Sequence, residues 1–253
     1  MSESLQGTVA LITGASSGIG YAVALRLATA GASIAIVARR RDKLEELASK
    51  IGATGSKVLI IEADLVDPAQ AAAAVANTVT EFGRLDTVVN SAGVMLNGDS
   101  LTTPMADWEL MVDLNLKALM YVTKAALPHL IRDVETSPRH VADVVNISSI
   151  AGRVARRHVA IYNATKFGVT AATEAWRQEY TRQSVRFSVV EPGAVETELF
   201  DHQSSITQEA YRKMFSDVEK LHAADIAEAT AFIVTNPRRV AVNEIVIRPT
   251  DQV

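Results

Sequence analysis

The segment TVALITGASSGIG, residues 8–20, passes from an apolar run into a glycine-rich turn and then into helix-forming sequence. Glycines 14, 18 and 20 permit a tight turn and a close approach of backbone to ligand. The helix beginning there turns its unbonded N–H groups and positive dipole end toward the turn. The spacing G-x-x-x-G-x-G is not the commoner G-x-G-x-x-G, and an isolated glycine turn is often an ordinary strand-to-helix loop. Its place between a first strand and a first helix favours a phosphate-bearing ligand, held by Gly14, Ser16, Ser17, Gly18, Ile19 and Gly20.

Outward from this turn, strand-length apolar runs recur at 8–13, 33–38, 57–63, 85–90, 143–148, 186–190 and 244–248. Amphipathic stretches near 18–30, 42–51, 68–82, 105–132, 160–182 and 223–235 separate them. Near-continuous Val/Ile/Leu strands alternating with helices predict an α/β fold, a doubly wound (Rossmann) parallel sheet of about seven strands with helices on both faces. Ligands are then expected at the carboxyl ends of the strands. No Pro/Gly/Ser-rich linker interrupts the 253 residues, so residues 1–253 are read as a single dinucleotide-binding and catalytic domain.

Composition narrows the function classes. A formal net charge of −4 offers no general attraction to nucleic acid or to an anionic membrane. The start lacks a basic leader and no run of about 18 apolar residues occurs, so a cytoplasmic protein is expected. Zero cysteines exclude disulfides, thiolate zinc sites and a cysteine nucleophile. His129, His140, His202 and His222 have no metal-like spacing, and no metal is expected.

Several strand ends carry polar residues. The second ends Ala38-Arg39-Arg40-Arg41-Asp42, without the carboxylate that would bind a ribose 2′-hydroxyl. Cations at a helix start oppose the helix dipole, and a bound anion would relieve them. Arg39 and Arg40 therefore predict NADP(H) over NAD(H), the 2′-phosphate being that anion. Asp42 and Glu45 are read as a capping pair. Asp64, beside Leu65, either accepts from an adenine amino group or simply starts the next turn. Asn115, in an apolar stretch of the helix expected over 105–132, must bond either a site water or backbone.

Residues 148–166, SSIAGRVARRHVAIYNATK, place Tyr162 and Lys166 four apart. On a helix they share a face, setting a phenol beside an ammonium as a candidate acid/base pair. Together with the preceding pieces, the chain resembles the short-chain dehydrogenase/reductase family over essentially its whole length. The resemblance is carried by TGASSGIG (13–20), Asn90-Ser91-Ala92-Gly93, Asn115, the strand-end serine, Tyr162-x-x-x-Lys166, and Pro192-Gly193 followed by Thr197.

That resemblance implies a reductase acting on a small-molecule aldehyde or ketone, with catalytic residues Asn115, Ser149, Tyr162 and Lys166. Family spacing puts the serine thirteen residues before the tyrosine, which selects Ser149 over Ser148. Asn90, Ala92, Gly93, Tyr162, Lys166, Pro192, Gly193, Val195 and Thr197 join the turn, Arg39, Arg40, Asp64 and Leu65 as expected cofactor contacts. Tyr162 would protonate the carbonyl oxygen, Ser149 would hydrogen-bond it, Lys166 would hold the nicotinamide ribose, and Asn115 would position a relay water. For such a relay near neutral pH the phenol must fall roughly 2–3 units from about 10. A lysine about 4 Å away, helped by the oxidised nicotinamide, supplies that, on the order of 4 kcal/mol at an effective dielectric near 20.

The family also implies a substrate lid, here 193–221, and a homotetramer or homodimer formed through the helices at 105–132 and 160–182. Arg156 and Arg157 are candidates to attract a substrate carboxylate, alongside Ser149 and Tyr162. A longer sugar-nucleotide epimerase is disfavoured by the short stretch after Pro192. A non-catalytic NADP-binding sensor or scaffold would have no need of Ser149, Tyr162 and Lys166 together.

Overall fold

The structure is a computed structural model, which describes residues 4–201, 203 and 205–252. His202 lies outside these residues. The chain runs β1 (Val9–Thr13), α1 (Gly18–Thr29), β2 (Ser33–Ala38), α2 (Arg41–Ala53), β3 (Val58–Glu62), α3 (Pro68–Phe82) and β4 (Thr87–Asn90). It continues through α4 (Met105–Val112), α5 (Ala118–Asp133), β5 (Ala142–Ile147), α6 (Ala160–Tyr180), β6 (Val185–Pro192) and β7 (Val195–Glu196). It closes with α7 (Ser205–Met214), β8 (Leu221–His222), α8 (Ala223–Val234) and β9 (Glu244–Ile247).

Seven strands form one parallel sheet in the order β3-β2-β1-β4-β5-β6-β9. Every residue of β1, β4, β5 and β6 is buried, because helices cover both faces. Val23, Leu27, Leu44, Ile51, Ile226 and Val234 bring α1, α2 and α8 onto one face. Ala74, Val75, Val122, Leu130 and Trp176 bring α3, α5 and α6 onto the other. The order reverses between β1 and β4, and an open crevice forms at the carboxyl ends of the strands there.

Local chemistry sets the helix ends. Asp67 caps α3 by accepting from the Ala69 N–H at 2.8 Å, with Pro68 in the first turn and left-handed Gly83 (φ 78°) closing it. The expected Asp42–Glu45 capping pair does not form. Arg40 is the N-cap residue of α2 and makes no side-chain cap, while Glu45 pairs with Arg41 along the helix at 2.9 Å.

The expected helix over 105–132 is also interrupted. Asp113–Lys117 form a π turn between α4 and α5, and Asn115 lies inside it. The 133–142 segment is a structural brace: Asp133 accepts from the Leu85 N–H at 2.9 Å, and Arg139 joins Arg186 in pairing the buried Asp143. No helix among the described residues is long and apolar enough to cross a membrane.

Candidate active site

The carboxyl ends of β1, β2, β4, β5 and β6 surround one cavity of about 420 Å³. Its floor at one end is the β1–α1 turn. Gly14 sits at φ 65°, and a Cβ there would meet the Ala92 backbone at 2.7 Å. A Cβ on Gly20 would meet the Gly14 carbonyl oxygen at 2.5 Å, so helix and turn pack too closely for any side chain. Thr13 ties this turn to the next strand end, its hydroxyl accepting from the N–H groups of Ser91 (3.0 Å) and Ala92 (3.1 Å). No side chain caps α1 and no acidic residue occupies its first turn, which leaves its N–H groups facing the cavity.

Around this turn the arginines divide the work. Arg40 donates to the hydroxyls of Ser16 (3.0 and 3.2 Å) and Ser17 (2.7 Å) and pairs with Glu198 at 2.9 Å. Arg39 lines the same wall and is exposed. Asp64 also lines the cavity, and one of its carboxylate oxygens accepts from the Val66 N–H at 3.2 Å. Both roles considered for it, turn former and ligand acceptor, are thus open to its two oxygens.

Ser91, Ala92 and Gly93 line the cavity, but Asn90 does not. Its amide is 3% exposed and turned inward, donating to Asn146 (2.9 Å) and Thr123 (3.1 Å). Asn146 continues the ladder to Thr173 at 2.8 Å. The Asn90 side chain is thus turned from the cavity: it and Asn146 are register partners in adjacent strands, and both amides serve the interior.

Asn115 is likewise buried at 1% exposure. Its carbonyl accepts from the Val94 N–H at 2.7 Å, and its amide donates to the Val94 carbonyl (2.8 Å) and the Thr165 hydroxyl (3.4 Å). The side chain is therefore committed to the Val94 backbone and the Thr165 hydroxyl, and a relay water would be held by the main chain of the π turn.

At the other end of the cavity, β5 delivers the serines and α6 delivers Tyr162 and Lys166. Ser148 turns inward, donating to the Lys166 carbonyl at 3.1 Å. Ser149 faces the cavity, accepts from the Ala151 N–H at 3.1 Å and hydrogen-bonds the Tyr162 phenol. Tyr162 and Lys166 are each 6% exposed. Burial raises the phenol above its ordinary value, Ser149 pulls it part of the way back, and the nearby Tyr211 phenol pushes it up. Burial pulls Lys166 down to about 8.

The protein's own groups do not by themselves provide the expected lowering of the phenol. The Lys166 ammonium gives its hydrogen bond to the Ile147 carbonyl at 2.9 Å and stands 5.7 Å from the Tyr162 ring centre. Desolvation is the largest influence on the phenol and raises it, so the protein's own groups hold the proton on Tyr162.

Pro192, Gly193, Val195 and Thr197 line the wall after β6. Thr197 caps a short turn (Glu198–Phe200) through the Leu199 N–H at 3.4 Å. The segment expected as a lid, 193–221, is an excursion whose ends pair as β7 and β8, Val195 opposite Leu221. Its α7 brings Tyr211 to the cavity beside Phe200 and Phe215. Sequence reasoning did not single out Tyr211, because a lid aromatic and a helix-core aromatic have the same spacing.

In the loop after Ser149 the arginines also separate. Arg153 turns away to the buried Glu191 (2.7 Å) and to Glu244. Arg156 and Arg157 line the cavity rim. Among the described residues no group of three or more His, Cys, Asp or Glu could hold a metal.

Residues 8–208 match the family model for short chain dehydrogenase, and the chain belongs to that family. It is 34% identical to an uncharacterized oxidoreductase of Staphylococcus epidermidis over 95% of this chain and 96% of that one. It is 38% identical to glycine betaine reductase of Emericella nidulans over 98% of this chain, which spans only 19% of that much longer protein. Among solved structures, an alcohol dehydrogenase from the archaeon Thermococcus sibiricus, complexed with 5-hydroxy-NADP, superposes with a TM-score of 0.85. It shares 27% identity and covers 97% of both chains.

Proposed function

We propose that this chain is an NADPH-dependent reductase that converts an aldehyde or ketone to an alcohol within one catalytic domain. One observation carries the reading: Ser149, Tyr162 and Lys166 meet at the wall of the same cavity that holds the β1–α1 glycine turn. The residues fit a dinucleotide. The uncapped start of α1 offers N–H groups to a pyrophosphate, and Asp64 keeps one carboxylate oxygen available at the adenine end. Arg39, with Ser16 and Arg40 beside it, offers a cationic wall to a 2′-phosphate. The structural relative complexed with 5-hydroxy-NADP supports the same cofactor.

When bound, the nicotinamide supplies the hydride. Tyr162 supplies the proton: burial keeps its phenol protonated, the form a reductase needs before transfer. Ser149 orients that hydroxyl and offers a second hydrogen bond to the substrate oxygen, favouring it as negative charge develops. Lys166, anchored on the Ile147 carbonyl, keeps a cation under the phenol. Asn115 fixes Val94, and with it the loop beside Tyr162, while the π turn around it can hold the water that replaces the proton. A non-catalytic NADP-binding role is the weaker reading, since a scaffold gains nothing from burying a phenol and a lysine together.

Arg156 and Arg157 at the rim favour a substrate that carries a carboxylate. A clavaldehyde-like acid is the first candidate, because ALITGASSGIG (10–20) and LMYVTKAALPHL (119–130) resemble segments of clavulanic acid dehydrogenase. We also expect a cytoplasmic homotetramer or homodimer. Met120 and Phe167, each 43% exposed on α5 and α6, support contact between copies through the long helices. The test is consumption of NADPH with a panel of aldehydes and ketones: turnover with at least one and none in Tyr162→Phe supports the reading, and no turnover by the wild-type chain rejects it.

A further inference from the structure

Tyr211 sits on α7 and reaches the cavity between Phe200, whose ring centre is 5.0 Å away, and Phe215, at 5.8 Å. These two contacts leave the phenol little freedom to rotate. Its oxygen accepts from the Asn97 amide at 3.0 Å. Among the described residues its proton is offered to the Met95 thioether at 3.9 Å, a weak acceptor. A part-buried phenol has thus spent its acceptor side and kept its strong donor for something else.

Three charges or dipoles bracket the same space. Arg156 lies near enough to lower the Tyr211 phenol electrostatically, and Tyr211 lies near enough to Tyr162 to raise it. Arg156, Tyr211 and Tyr162 line the same cavity, and the Tyr211 and Tyr162 rings belong to one apolar cluster. The remaining wall there is apolar, with Val94, Met95 and Leu199 beside the ring cluster. A polar substrate group entering this wall meets the Tyr211 hydroxyl and the rim guanidinium groups, Arg156 among them.

We propose that Tyr211 and Arg156 form a carboxylate subsite that fixes which end of the substrate faces Tyr162. The substrate class follows from the chemistry: an aldehyde or ketone whose carboxylate lies within a few bonds of the carbonyl, on a body apolar enough to sit against Phe200 and Phe215. The Tyr211 hydroxyl donates to one carboxylate oxygen and the Arg156 guanidinium balances the charge. Because Tyr211 rides on α7, binding of the carboxylate also holds the lid helix over the reaction. Asn97 supports this arrangement from the other side, since its backbone N–H donates to Gln203 (3.2 Å) and its carbonyl accepts from Thr207 (3.3 Å), both in or beside the lid. This subsite rests on the reductase reading, and its test separates the two.

The experiment is calorimetric binding to the NADPH complex of a non-reducible aryl-alkanoic acid and of its methyl ester, in the wild type, Tyr211→Phe and Arg156→Gln. Tyr211→Phe keeps both ring contacts and removes the donor, together with the oxygen that accepts from the Asn97 amide. The acid-to-ester affinity ratio is expected to fall about ten-fold or more in each variant, the scale of a charge-assisted hydrogen bond. A ratio unchanged in Tyr211→Phe, or a wild type that binds acid and ester alike, overturns the subsite. A wild type that discriminates the acid yet reduces no carbonyl compound would reject the reductase reading and leave the subsite standing.

Discussion

The Lys166 ammonium donates to the Ile147 carbonyl at 2.9 Å and stands 5.7 Å from the centre of the Tyr162 ring, so it supports the phenol from beneath without bonding to it. Both groups are buried, and burial acts on them in opposite directions, raising the phenol and pulling the ammonium down to about 8. The pair is thereby set for proton donation: the phenol keeps its proton over the range in which the lysine keeps its charge.

A pH dependence follows with a definite sign. Reduction uses a protonated Tyr162 and a charged Lys166, and Lys166 is the first to lose its proton as pH rises. The kcat/KM for carbonyl reduction is expected to stay level below about pH 8 and to fall as pH passes through about 8. In Lys166→Arg, whose guanidinium stays charged beyond about pH 12, any remaining activity should lose that descending limb or move it upward. A limb that stays near pH 8 in the variant would assign the titration to another group.

Cofactor preference should separate Arg39 from Arg40. Arg39→Ala should lower the NADPH-to-NADH ratio of kcat/KM about ten- to a hundred-fold, the scale of one charge-assisted hydrogen bond. Arg40→Ala frees Ser16 and Ser17 as well, so it should weaken binding of both cofactors, read as dissociation constants from nicotinamide fluorescence. An unchanged preference in Arg39→Ala would contradict the 2′-phosphate assignment.

Arg153 should matter for stability more than for substrate. Its partner Glu191 is wholly buried and also accepts from the Thr170 hydroxyl at 3.2 Å. Arg153→Ala leaves that carboxylate short of a cation at a cost of about 2 kcal/mol, less than a fully buried pair because Arg153 is itself half exposed. Thermal unfolding should drop by about 4–8 °C for a chain of this size. Adding Glu191→Gln should restore part of the loss, whereas a Tm unchanged in Arg153→Ala would mean that the pair contributes nothing.

The parallel sheet was legible because strands buried on both faces must be nearly continuous Val, Ile and Leu, as in β1 and β2. Tyr162 and Lys166 were legible because helical spacing alone puts them on one face. Other features depend on relationships that sequence does not carry. Asn90 turns inward because it is level with Asn146 across β4 and β5, a matter of strand register. Arg40, not Arg39, clamps the glycine turn, a choice made by the backbone direction leaving β2. The π turn at Asp113–Lys117 has an ordinary helix composition, and its irregularity is set by how Asn115 meets Val94. Arg153 reads like its neighbours Arg156 and Arg157 and differs only in facing Glu191.

The most direct test of the account is a pair of measurements on Tyr162→Phe: turnover of NADPH with the best carbonyl substrate, and NADPH affinity. The account expects kcat to fall by about 10²–10⁴-fold, the contribution of one positioned proton donor, with the NADPH dissociation constant changed less than about two-fold. Wild-type-like turnover in this variant would contradict it.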